Sequence, residues 1–127
     1  MPHALIIDDN NFNVDVLVGL LKEEGFGSIR ITQPKNLKKA LADISDVNIV
    51  FLDLEMPDLD GFEVLAHLRA DARFQDVPII AHTVHVSEIK ETHDAGFDGF
   101  IGKPLDGDKF PRQLARILSG KGVWETT

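Results

Sequence analysis

The sequence predicts an α/β protein: a five-stranded parallel sheet with helices on both faces. Three observations carry this. Short apolar runs recur that do not alternate with polar residues, as strands covered on both faces require. Stretches of helical periodicity lie between them. Each run also ends abruptly on a polar residue, most visibly in "FLDLEMPDLDG" (51–61), where an apolar stretch stops at Asp53.

The elements follow in order. "ALII" (4–7), "NIVFLDL" (48–54), "PIIAH" (78–82) and "GFIG" (99–102) read as buried strands, and the alternating "SIRIT" (28–32) as an edge strand. Val14, Leu17, Val18 and Leu21 follow the i, i+3, i+4, i+7 spacing of a helix that Gly25 stops. Leu37, Leu41 and Ile44 mark a second helix, and Phe62, Leu65 and Leu68 a third. "SEIKETHDAG" (87–96) reads as a short polar fourth, with Ser87 as N-cap and Gly96 as C-cap. Phe110, Leu114, Ile117 and Leu118 mark the last, and Pro111 must stand in its first turn, because deeper it would cost about 3 kcal/mol. The order is βα five times, and right-handed crossovers place the helices on both faces.

The chain has 127 residues, which suits one domain spanning 1–127. It has no cysteine, so disulfides, thiolate chemistry and Cys-based zinc sites are excluded, and a cytoplasmic setting is compatible. The net charge of −8 disfavours nucleic acid and anionic membrane as partners. No apolar run approaches the ~20 residues of a spanning helix. "MPHALIIDDN" lacks the pattern of a signal peptide, and only "SGKGVWETT" follows the last helix, so no effector domain is expected.

The polar residues collect at one edge. Asp8 and Asp9 follow the first strand, Asp53 ends the third, Thr83 the fourth and Lys103 the fifth. All lie at carboxyl ends of strands, where such sheets bind ligands. Three carboxylates held together resist ionisation, and a hard divalent cation such as Mg²⁺, which takes oxygen ligands, relieves the repulsion.

In this arrangement the chain resembles the receiver domain of two-component response regulators. The matching pieces are "DD" at 8–9, "DLEMPDLDG" at 53–61, Thr83 at a strand end and "KP" at 103–104. The resemblance implies a flavodoxin-like doubly wound sheet in the order 2-1-3-4-5. It implies that Asp53 accepts a phosphoryl group from a histidine kinase or phosphotransfer protein. Mg²⁺ would be held by Asp8, Asp9, Asp53 and the backbone carbonyl of Glu55, while Thr83 and Lys103 would contact the phosphoryl oxygens. Thr83 and Phe100 would form the switch, Phe100 standing where the family commonly has tyrosine. Glu55 and His85 would flank the path of water and tune the lifetime of the acyl phosphate. A cis Lys103–Pro104 bond would aim the ammonium inward. Val84 departs from the small residue usual after the threonine; its bulk should narrow the approach to Asp53 or restrict the threonine loop. Output is expected through a protein partner on the helix at 87–95, the strand at 99–102 and the last helix.

Other readings compete. The domain could be a phosphorelay intermediate that passes its phosphoryl group on to a histidine. An aspartyl-nucleophile phosphatase would need an acid in a D-x-D pattern where this chain has Glu55, and a flavin module would need a phosphate loop where "DDNNFN" stands. The chain is therefore read as no enzyme beyond its own phosphorylation and dephosphorylation. His82 and His85 lack a third ligand for a transition metal, and His82 is expected to be half-buried. His3, His67 and His93 are read as surface residues, "KNLKK" (35–39) as a solvated face, and Trp124 as packing against the end of the last helix.

Overall fold

The computed structural model describes residues 1–33, 35 and 37–126. Its main sheet has six parallel strands, numbered here in chain order: β1 (His3–Ile7), β2 (Gly27–Ile31), β3 (Ile49–Leu52), β4 (Ile79–Thr83), β5 (Gly99–Gly102) and β6 (Val123–Glu125). They lie in the order β2-β1-β3-β4-β5-β6. The expected five strands and their order hold, and β2 is the edge strand. The sixth is the correction. Residues 123–125 continue the winding scheme after the last helix, pairing Gly99 with Val123, Phe100 with Trp124 and Ile101 with Glu125.

Helices α1 (Asn11–Glu23) and α5 (Phe110–Leu118) cover one face, and α2 (Leu37–Leu41), α3 (Gly61–Arg69) and α4 (Ile89–Ala95) the other. Successive strand residues feed opposite layers. Leu5, Ile7, Val50, Leu52 and Phe100 face the α2–α4 side, whereas Ile6, Phe51, Ile80 and Ile101 face α1 and α5. Each large apolar side chain so buried contributes about 1.5–3 kcal/mol. This double covering is why the strand runs are continuously apolar.

Several local expectations change. Helix α2 is only five residues long, and Ile44 lies beyond it. Ser87 does not cap α4; residues Val86–Glu88 form a 3₁₀ turn, and no side chain caps the helix start. Gly96 does close α4, at φ 102°, a conformation that disfavours any side chain. Pro111 stands in the first turn of α5, as required. Lys35, Lys38 and Lys39 are exposed, while Asn36 of that basic stretch lies outside the described residues. Trp124 does not end the last helix. It belongs to β6, and its ring packs at a tilt against His93 of α4, 4.6 Å between centroids. His67 and His93 are exposed and His3 is half-buried. His82 is only 3% exposed rather than half-buried, because it sits mid-sheet in β4 with strands on both sides.

Candidate functional site

The sheet delivers its polar residues to one rim by extending the strand ladders past the strand ends. The Asp53 N–H donates to the Ile7 carbonyl at 3.0 Å, that of Asp8 to Ile31 at 3.1 Å, and that of Lys103 to Thr83 at 2.9 Å. These backbone bonds fix where each side chain starts. Asn10 caps α1 through its side chain, and its N–H donates to Asp8 Oδ1 at 2.9 Å. Beyond Asp53 the chain makes a small antiparallel ribbon, Glu55–Met56 with Leu59–Asp60, turning at Asp58 with φ 61°. Gly61 then passes so close to the chain that a Cβ there would lie 2.6 Å from Leu54 Cα and 2.7 Å from the Asp53 carbonyl oxygen. Glycine is the residue that lets the loop return beneath Asp53.

The carboxylates of Asp8, Asp9 and Asp53 each offer an oxygen within 4.8 Å of the others. Asp8 and Asp53 are buried and Asp9 is exposed. The Lys103 ammonium, itself 5% exposed, lies 2.7 Å from Asp8 Oδ2 and 3.4 Å from Asp53 Oδ2. The Lys103–Pro104 peptide is cis. Burial pushes the Asp53 carboxyl above its ordinary range; the Lys103 charge opposes this and Asp8 adds to it. Two carboxylates and one ammonium thus share a low-dielectric pocket with an exposed third acid at its mouth. That donor set is all oxygen and strongly anionic, and it fits a hard divalent cation rather than a soft one.

Thr83 is fully buried at the end of β4, and its Oγ1 accepts from the His85 N–H at 3.3 Å. A cleft of about 210 Å³ opens above Asp53, bounded by Asp9, Asn13, Glu55, Thr83, Val84 and Lys103. Across its mouth the His85 Nε2 meets Glu55 Oε2. Val84 is 61% exposed, so it borders the cleft and is not a residue of the core. Phe100, in contrast, is completely buried on the α4 side of β5. All the residues singled out in the sequence at strand ends converge here. Asn13 was not foreseen; its place on the first turn of α1 brings it to the cleft, and only the helix phase from Asn10 could have signalled it.

A family model for the response regulator receiver domain matches residues 4–115. The chain belongs to this family. The receiver domain is 26% identical over 119 residues to the two-component response regulator ORR5 of rice (Oryza sativa subsp. japonica), covering 92% of this chain and 89% of that protein. It is 30% identical over 122 residues to the osmosensing histidine protein kinase SLN1 of Saccharomyces cerevisiae, covering 91% of this chain but only 10% of the kinase. Its fold superposes on the receiver domain of sensor histidine kinase PA1611 from Pseudomonas aeruginosa PAO1 with a TM-score of 0.79, at 22% identity, over 93% of this chain and 98% of that one. That structure is described with a magnesium ion coordinated in its active-site cleft. Among the described residues of the receiver domain no helix is long and apolar enough to cross a membrane.

Proposed function

We propose that this receiver domain is a phosphoacceptor switch that takes a phosphoryl group on Asp53 from a phosphohistidine of a kinase or phosphotransfer protein. The observation that carries the reading is the placement of Asp53: on the central strand's end, with its carboxylate beside Lys103 and within a shared oxygen cluster with Asp8 and Asp9. An Asp53 carboxylate oxygen bonds to phosphorus as the P–N bond of the donor breaks, and the departing imidazole takes up a proton. Water later attacks the phosphorus, releasing inorganic phosphate and restoring the carboxylate.

Mg²⁺ suits this cluster: Asp8, Asp9, Asp53 and the Glu55 backbone carbonyl would hold it, and it would supply positive charge to offset that on the phosphoryl oxygens. Lys103 offers an ammonium to the same oxygens, and Thr83 a hydroxyl if its short loop moves toward them. Phe100, packed beside β4, is the side chain that would take up the space so vacated. The chemistry is confined to the chain's own aspartate, with no external substrate turned over. We place it in the cytoplasm and assign its output to a protein bound at α4, β5 and α5.

The test is intact-mass measurement after incubation with Mg²⁺ and a small phosphodonor. Wild-type protein should gain one phosphoryl group, removable by mild base, and Asp53→Asn should gain none at the wild-type rate. Equal uptake by the variant would refute the assignment.

A further inference from the structure

The C-terminal strand lies beyond the part of the chain that the family model matches, which ends at residue 115. It covers the edge of β5. Trp124 is the direct neighbour of Phe100 across the parallel ladder and packs against the same apolar layer, with Ile89 of α4 beside it. Its ring also packs at a tilt against His93 of α4. Glu125 is tied to α5, accepting from Gln113 Nε2 at 2.7 Å and from Arg112 Nη2 at 3.2 Å. The fit to β5 is close at both ends: a Cβ on Gly99 would lie 2.8 Å from the Val123 carbonyl oxygen, and one on Gly102 only 1.9 Å from that of Thr126. Gly102 immediately precedes Lys103. One short strand therefore touches α4, β5 and α5 together, and the chain leaving it passes against Gly102, the neighbour of Lys103.

We infer that β6 is a built-in restraint on the switch, holding Phe100 where it stands here against the movement that phosphorylation requires. This rests on the phosphoacceptor reading above. In the present arrangement the Phe100 ring and Trp124 share one packed layer. Movement of Phe100 toward the Thr83 side withdraws apolar surface from Trp124, which then holds β6 less firmly. Coupling is reciprocal: whatever favours the attached strand opposes phosphorylation, and phosphorylation loosens the strand. The cover is small, three residues entered through Gly120 at φ 83°, so its release does not require the rest of the sheet to open. Release bares the backbone edge of β5 and the α4 side of Trp124's seat, which are the surfaces assigned to the partner.

Trp124 is the chain's single tryptophan, so it reports its own release. Full-length protein is treated with Mg²⁺ and acetyl phosphate, and intact mass establishes how much is phosphorylated. In the phosphorylated fraction the emission of Trp124 should shift to the red, and amide exchange at 123–125 should rise at least tenfold while β1 is unchanged. Trp124→Ala and Glu125→Ala, each checked for native circular dichroism, should both be phosphorylated several-fold faster than wild type. A strand with a purely structural role would lower the thermal midpoint of these variants and leave the phosphorylation rate as it was. Phosphorylated protein with unaltered emission and unaltered exchange overturns the restraint and leaves the phosphoacceptor reading intact. No phosphoryl uptake at all overturns both.

Discussion

At the scale of single residues, the site sets a buried pair, Asp8 and Asp53, against an exposed third acid. Asp9 is the exposed carboxylate of the cluster, so its side chain is not part of the packed core. Asp9→Ala should therefore fold normally yet bind Mg²⁺ at least tenfold more weakly, since one anionic oxygen ligand is lost. Calorimetric titration reads this directly, and unchanged affinity would remove Asp9 from the ligand set. Glu55 and His85 belong to a different part of the problem. Their side chains meet across the mouth of the cleft that Asp53 also lines. Replacing both with alanine should shorten the life of phosphorylated Asp53 several-fold while leaving its formation possible. The decay of the phosphorylated mass with time decides it, and an unchanged half-life would exclude the pair from that role.

At the scale of elements, the strand ends do the positioning, and the loop after β3 closes tightly beneath Asp53. The Gly61 Cβ position is blocked by backbone atoms of Leu54 and Asp53, which cannot rotate away as a side chain can. Gly61→Ala should cost about 1–3 kcal/mol in urea unfolding and also slow phosphorylation, because the displaced backbone carries Asp53 itself. A variant as stable and as fast as wild type would mean that the loop can open at no cost. The same scale explains what the sequence could and could not reveal. Strands buried on both faces advertise themselves as unbroken apolar runs, and a run that stops on Asp53, Thr83 or Lys103 names its own site residue. Strand β6 has no such run. It is three residues long, bordered by Gly122 and Thr126, and only Val123 of the three is fully buried. Its existence depends on β5 presenting a glycine at each end, which is a property of another part of the chain. Likewise, the pairing of Lys103 with Asp8 joins residues separated by two intervening strands and has no local signature.

At the scale of the whole molecule, the buried His82 makes folding depend on pH. Its imidazole lies within the sheet and is neutral, donating from Nδ1 to the Ile101 carbonyl at 2.8 Å. Burial depresses its pKa from the ordinary 6.5 to about 4, with the Lys103 charge adding to the effect and the Ile101 hydrogen bond opposing it. The unfolded chain therefore takes up a proton on His82 below about pH 6.5, while the folded chain refuses it until about pH 4. Stability is complete above the unfolded value and falls as the pH drops through this window, by about 3 kcal/mol in all. Carboxylates held below their usual range act lower: Asp71, bonded to Arg73, is depressed to about 2, and its loss belongs to more acidic solutions. Asp53, raised by burial, acts in the opposite sense and favours the folded state where it is protonated. The His82 contribution is thus separable by substitution. In His82→Leu, urea unfolding should give a stability nearly flat across the window in which wild type declines, even if its stability near neutrality is lower for want of the Ile101 bond. If the variant and wild type lose stability in parallel from pH 6.5 to pH 4, the decline has another source, and His82 accepts its proton in the folded sheet as readily as in the unfolded chain.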